Sequence, residues 1–197
     1  MAQDPLYTLL RHLTLPVIAM TTSSAGRGNG MIANSAQRAS LVPTQPRISM
    51  YVSKINFSHD MVWRSGVFTV HLLTTEQWDL LRRLGLRSGR DGDKLAGLEV
   101  LRGETGCPVL ADCRASFECR VVNAMDAGGA TFFLGDVVAV REPAPAAAVL
   151  TSDYFRANLP DDIRRGYEAG LEEAQRRLEP LSGRISREPW PGATTAP

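Results

Sequence analysis

The feature that most constrains this chain is a pair of long β-rich runs, residues 115–125 and 131–142, separated by Asp126-Ala-Gly-Gly129. β-Branched and aromatic residues fit a pleated, half-buried surface, and a short Asp/Gly turn between two such runs signals a hairpin. Shorter strand-like runs occur at 15–22, 31–41, 48–53 and 67–73. The run 31–41 is unusually polar for a strand. Helical spacing appears at 4–13 (Leu6, Leu9, Leu10, Leu13), in one or two turns at 56–65, and at 75–85. In the last of these, Thr75 reads as the start, Trp78, Leu81 and Leu84 share one face, and Gly85 reads as the stop. Short antiparallel strands with short helices between them predict a mainly β, Greek-key barrel with peripheral helices rather than a doubly wound sheet.

Residues 23–30 (S-S-A-G-R-G-N-G) read as turn chemistry, with Gly26, Gly28 and Gly30 as turn residues, and 87–97 read as a loop. Past Pro143 the character changes. Residues 143–148 are a Pro/Ala connector. Residues 161–178 carry an amphipathic stripe of Ile163, Tyr167, Leu171, Ala174 and Leu178, which predicts a covering or dimer-wrapping helix. The division expected is an N-terminal helix over 1–14, a barrel domain over 15–142, a connector and helix over 143–181, and a frayed tail over 182–197.

Composition bounds the function. A chain of 197 residues fills one core, and a net charge of +1 gives no field to recruit nucleic acid or an anionic membrane. No apolar run reaches the roughly 18 residues of a membrane span, and the start lacks the basic-then-apolar pattern of a signal peptide, so a cytoplasmic protein is expected. Cys107, Cys113 and Cys119 form no C-x-x-C, and His12, His59 and His71 are scattered, so no metal site is expected. No G-x-G-x-x-G opens a helix after a strand, and no P-loop, G-x-S-x-G elbow or H-E-x-x-H helix occurs. A dinucleotide would not bind here by the Rossmann route.

Two polar stretches remain. Ser53, Lys54, Asn56 and Ser58 run off a strand into a short helix and offer hydroxyl, ammonium and amide donors, a combination that suits a phosphate group. The structural alternative is that Ser58 is an N-cap and Lys54 a solvated charge. Asn34, Ser35, Gln37, Arg38 and Ser40 lie on a strand with apolar neighbours. Either that edge meets a planar heterocycle with a donor and acceptor rim, or it is an edge strand kept polar against aggregation. Residue chemistry alone leaves both readings standing.

The ordered set of residues resembles a known family. Gly30-Met31, Asn34-Ser35, Ala39-Ser40-Leu41 and Pro43 are followed by Ser53-Lys54-x-Asn56-Phe57-Ser58-His59-Asp60 and Ser65-Gly66-Val67-Phe68. Further on come Gly92-Asp93-Lys94-Leu95-Ala96-Gly97, Pro108-Val109-Leu110, Phe117-Glu118-Cys119-Arg120 and Phe133-x-Gly135-Asp136. Together, over about 15–141, they resemble the flavin-reductase-like, FMN-binding split-barrel family.

The resemblance implies a six-stranded split barrel, a homodimer, and FMN or FAD bound near the subunit interface. It implies that Ala33, Asn34, Ser35, Ser40 and Leu41 face the ring and ribityl chain. It also implies that Ser53, Lys54, Asn56, Ser58 and His59 surround the phosphate, with Phe57 and Lys94 completing the set. Many relatives oxidise NADH or NADPH by hydride transfer to flavin N5, which needs stacking geometry rather than an acid/base pair, and pass reduced flavin to a separate monooxygenase. No catalytic side chain is therefore assigned.

Two positions depart from the pattern. Ala130-Thr131 stand where many reductases carry a histidine on the nicotinamide side, and Leu95 replaces a common aromatic. Three functions follow: an NAD(P)H:flavin oxidoreductase; an FMN protein acting on a small molecule or using a deazaflavin donor; and a non-catalytic flavin-binding protein.

Overall fold

The computed structural model describes Leu13 and residues 15–192. The helix expected over 4–13, with His12, lies outside the described residues except for Leu13. The described strands are β1 (Ile18–Ser24), β2 (Arg27–Ala33), β3 (Gln37–Arg38), β4 (Arg47–Ser53), β5 (Val67–Leu72), β6 (Val100–Arg102), β7 (Pro108–Leu110), β8 (Ala115–Asp126) and β9 (Ala130–Arg141). The α-helices are α1 (Phe57–Ser65), α2 (Trp78–Gly85), α3 (Ser152–Asn158) and α4 (Asp161–Leu178).

Seven strands form one curled antiparallel sheet in the order β2-β1-β5-β8-β9-β4-β3, and β6-β7 form a separate hairpin. The arrangement is a split barrel. The sheet has seven strands where six were expected, the seventh, β3, being only two residues long. The long hairpin is β8-β9. Asp126 Oδ1 accepts from the Gly128 amide at 2.7 Å, and Gly128 sits at φ 76°, where a side chain would be strained. Two register shifts, with Val138 the extra residue on β9 and Val122 the extra residue on β8, bend this hairpin as bulges do.

β1 is an apolar run because it is buried on both faces. Ile18 and Met20 point into the barrel with Met50, Val52, Phe68, Val70, Val121 and Phe133. Val17 and Ala19 point outward, under a second layer with Leu73, Leu81, Leu84, Leu95, Leu110 and Ile163. His71 belongs to this outer layer and is fully buried, accepting the Leu110 amide at Nε2 (3.1 Å) with Nδ1 3.3 Å from the Ala19 carbonyl. Burial pushes its pKa down to about 4, so the ring is neutral and its role structural. Glu118, also buried, accepts from the Thr105 amide and hydroxyl at 2.9 and 2.8 Å. The two residues fasten the β6-β7 hairpin to the sheet.

Several local expectations change. Only Ala25 and Gly26 turn the first hairpin, at φ 50° and 76°; Gly28 and Gly30 lie within β2. They are glycine because neighbours press on the strand: a Cβ would meet Pro108 at 2.7 Å on Gly28 and Leu84 at 3.2 Å on Gly30. The run 31–41 splits into the end of β2, a bend and β3, so its polar residues edge the sheet. α2 starts at Trp78 rather than Thr75, because the Gln77 side chain accepts the Thr74 amide and turns the chain first. Hairpin β6-β7 and α3 have too few residues to show a period. The tail expected to fray runs back over the barrel through its described part, and Trp190 meets Trp63 edge-on at 6.5 Å.

Candidate flavin site

Alternation along β4 sends Met50 and Val52 into the barrel and leaves Tyr51 and Ser53 on the opposite face. Beyond Tyr51, between the end of β2 and helix α4, lies a cavity of about 480 Å³. Its walls include Ile32, Ala33 and Asn34 on one side, Tyr51 and Asn56 at one end, and Gly166, Gly170 and Ala174 of α4 opposite. The walls are mostly apolar with a few polar groups, as ligand cavities are. Partial burial, with Tyr167 nearby, raises the Tyr51 phenol above its ordinary pKa, so it stays a neutral donor.

α1 starts beside this cavity. Asn56 is its N-cap residue by backbone geometry, yet its side chain makes no capping bond; of the first-turn amides, that of His59 donates to the Asn56 carbonyl at 3.0 Å. Ser53 Oγ is buried and has no hydrogen-bond partner. A buried hydroxyl in that state calls for a missing partner. Two guanidinium groups stand over the Phe57 ring, Arg27 at 4.6 Å and Arg90 at 5.5 Å from its centroid. Arg90 also donates to the Ile55 carbonyl at 2.9 Å. Positive charge therefore stands at the start of α1, a helix start that no side chain caps, three residues past an unpartnered hydroxyl.

The residues singled out in the sequence separate into three groups. Ala33, Asn34 and Asn56 line the cavity, Ser53 and Phe57 are outside its lining though near Asn56 in the chain, and Ser35 donates to the Tyr51 carbonyl at 2.8 Å. Ser40 and Leu41 are elsewhere, on a second, apolar groove of about 490 Å³ with Ile18, Val42, Pro43 and Val140. Leu41 is 82% exposed there.

The third group has its polar atoms engaged by the protein. Lys54 Nζ binds both Asp126 oxygens at 2.8 Å, because the β8-β9 turn comes down beside it. Ser58 is buried and accepts from Asn29 at 2.8 Å. Buried His59 holds Thr131 Oγ1 at 2.9 Å and Asp60 at 3.1 Å, and stacks on Trp63. Burial lowers its pKa more than Asp60 raises it. Lys94 donates to the carbonyls of Leu84 and Arg87 at 2.8 and 3.0 Å, closing the C-terminal end of α2, and burial pushes its pKa down to about 8. Arg27 and Arg90 were not singled out in the sequence, since neither belongs to a recognisable stretch and only the fold brings them to Phe57.

The flavin reductase like domain family matches residues 10–157. The chain is 32% identical over 137 residues to a ferric-chelate reductase (NAD(P)H) of Archaeoglobus fulgidus, covering 68% of this chain and 80% of the relative. It is 31% identical over 130 residues to a high molecular weight rubredoxin of Moorella thermoacetica, covering 65% of this chain but only 56% of that protein. Among solved structures, the NADH:FAD oxidoreductase SgcE6 of Streptomyces globisporus, in complex with NAD and FAD fragments, superposes with a TM-score of 0.64 at 26% identity, over 74% of this chain and 88% of that one. With the match covering most of the chain and the split barrel in place, the chain belongs to the flavin reductase like domain family.

Proposed function

We infer that this chain is an NAD(P)H:flavin oxidoreductase whose flavin ring lies in the cavity between the end of β2 and α4. The observation that carries the assignment is the junction of two features. An apolar cavity of about 480 Å³ opens beside a helix start that holds two guanidinium groups, three residues past an unpartnered buried hydroxyl. That pairing suits a flat ring joined to a phosphate. Ile32, Ala33 and Asn34 would bind the ring through backbone and short side chains, and Tyr51 would close one end. Asn56, Ser53 and the uncapped start of α1 would hold the phosphate, with Arg27 and Arg90 supplying its counter-charge in place of Lys54. When bound, the flavin supplies a hydride acceptor at N5 for NADH or NADPH. The protein's part is to orient the ring and exclude water.

Ser40 and Leu41 enter this reading through a second copy of the chain. Their groove is apolar, and Leu41, Val42 and Val140 are exposed on it, which supports a homodimer joined over that face. We also place the protein in the cytoplasm, where its three buried free thiols would stay reduced; no helix among the described residues is long and apolar enough to cross a membrane. A separate monooxygenase would consume the reduced flavin.

One observation favours a second reading, an FMN protein with a different electron donor. Thr131, at the position where relatives often carry histidine, is buried and bound to His59. The test is FMN binding followed by anaerobic mixing with NADH and NADPH. Bleaching of the flavin absorbance by either nucleotide supports the reductase. A yellow protein inert to both selects the second reading, and a protein that binds no flavin rejects both.

A further inference from the structure

Helix α4 is 18 residues long, so it spans roughly 27 Å. Its attachments gather at its ends. At the N-terminal end Asp162 takes a two-pronged bond from Arg82 at 2.6 and 3.1 Å, and Ile163 is its only buried side chain among the described residues. At the C-terminal end Leu178 packs on Gly129, and the carbonyls of Leu181 and Ser182 sit over Gly128. Between these anchors the helix crosses the cavity rather than a core. There Gly170 and Ala174, one turn apart, line it opposite Ile32, Ala33, Asn34 and Tyr51, flanked by Tyr167 and Leu171, while Gly166 lies under Leu86. A Cβ on Gly170 would touch nothing within 4 Å. The side-chain oxygen of Gln175, next to Ala174, is buried with no partner.

Tyr167 packs edge-on against Phe155 at 6.0 Å and Gly166 lies against Leu86, so the stretch of α4 short of packing partners is the turn from Gly170 to Ala174. Small residues lining a void beneath a helix backbone leave a flat slot, and a planar conjugated ring is the shape that fills one. We propose that the Gly170–Ala174 face of α4 is the second wall of the ring site, so that the chain clasps its flavin and releases it only when α4 lifts. This rests on the flavin reading above and adds two things to it. It assigns ring-contacting residues in a helix outside the strands and turns that the sequence singled out. It also makes the flavin a retained group rather than a freely exchanging substrate.

The lever for a test is already built. A Cβ on Gly129 would lie 3.6 Å from Leu178 Cβ, within the range of a disulfide, and Gly129 is not at positive φ. The double variant Gly129→Cys/Leu178→Cys is loaded with FMN, diluted, and followed by flavin fluorescence in its oxidised form and after TCEP. Release at least tenfold slower in the oxidised form, restored by reduction, is expected. Equal rates in the two forms would overturn the proposal while leaving the flavin reading intact. Gly170→Phe needs no new bond and enters open space, so it decides the matter if the double variant fails to fold. It should weaken FMN binding at least tenfold with an unchanged melting temperature; wild-type affinity overturns the proposal. Absence of FMN binding by the wild-type protein defeats the flavin reading itself.

Discussion

Two parts of this molecule bury polar groups, and they treat them differently. Under the β6-β7 hairpin, His71 and Glu118 are sealed and paired: the Leu110 amide and Ala19 carbonyl flank one, and Thr105 donates twice to the other. Thr69 Oγ1 is left over in that region, with the Cys107 thiol beside it. Ahead of α1 and within α4, Ser53 Oγ and Gln175 Oε1 are buried without partners, and their near neighbours in the chain, Asn56 and Ala174, line a cavity. A satisfied network is a fastening, whereas unsatisfied groups around a void mark where something else binds. The same residue types therefore mean structure on one side of the barrel and ligand on the other.

Substitutions on the fastened side should cost stability and leave flavin alone. Glu118→Ala removes a buried charged acceptor and leaves the half-buried Thr105 amide and hydroxyl without it, so a loss of about 1–3 kcal/mol is expected in urea unfolding, with FMN affinity of the folded protein unchanged. A large fall in FMN affinity would blur the distinction between the two regions.

His71 sharpens the comparison through pH. Its folded pKa of about 4 is below its ordinary value of 6.5, so the folded state binds fewer protons than the unfolded state between those limits. Stability is then fully present above pH 6.5 and declines as pH falls toward 4, by about 3 kcal/mol from this residue. His59, also lowered, adds in the same direction. Urea unfolding at several pH values measures the slope, and His71→Gln should reduce it.

On the open side the expected effects reverse. Arg90→Ala should weaken FMN about tenfold, roughly 1.4 kcal/mol, with little change in stability, because its partners are a carbonyl, the Phe57 face and a distant Asp60. Isothermal titration measures the affinity. Lys54→Met should have the smallest effect, about 1 kcal/mol or less on either quantity, because its ammonium belongs to an ion pair still in contact with solvent, and Asp126 keeps the Gly128 amide as a donor.

These contrasts show what could be read before the fold was known. The β8-β9 hairpin was legible because its alternation, its length and Asp126-Ala-Gly-Gly129 agree. The stripe from Ile163 to Leu178 was legible because five residues keep one helical face. Lys54 looked like a phosphate ligand because spacing records only neighbours along the chain, and Asp126 is 72 residues away. The positive charge at Phe57 was hidden for the same reason, since Arg27 comes from β2 and Arg90 from a loop. Gly170 carries no signal along the chain, since helical spacing does not record the cavity that lies beneath it.

The central claim is that the cavity under α4, and not the groove beside Leu41, receives the flavin ring. A crystal structure of the FMN-loaded protein tests it most directly. The account predicts the ring between Ile32–Asn34 and α4, with its phosphate at the start of α1 near Arg90. A ring lying over Leu41 and Val42, with Asn34 and Tyr51 untouched by either copy's flavin, would contradict it.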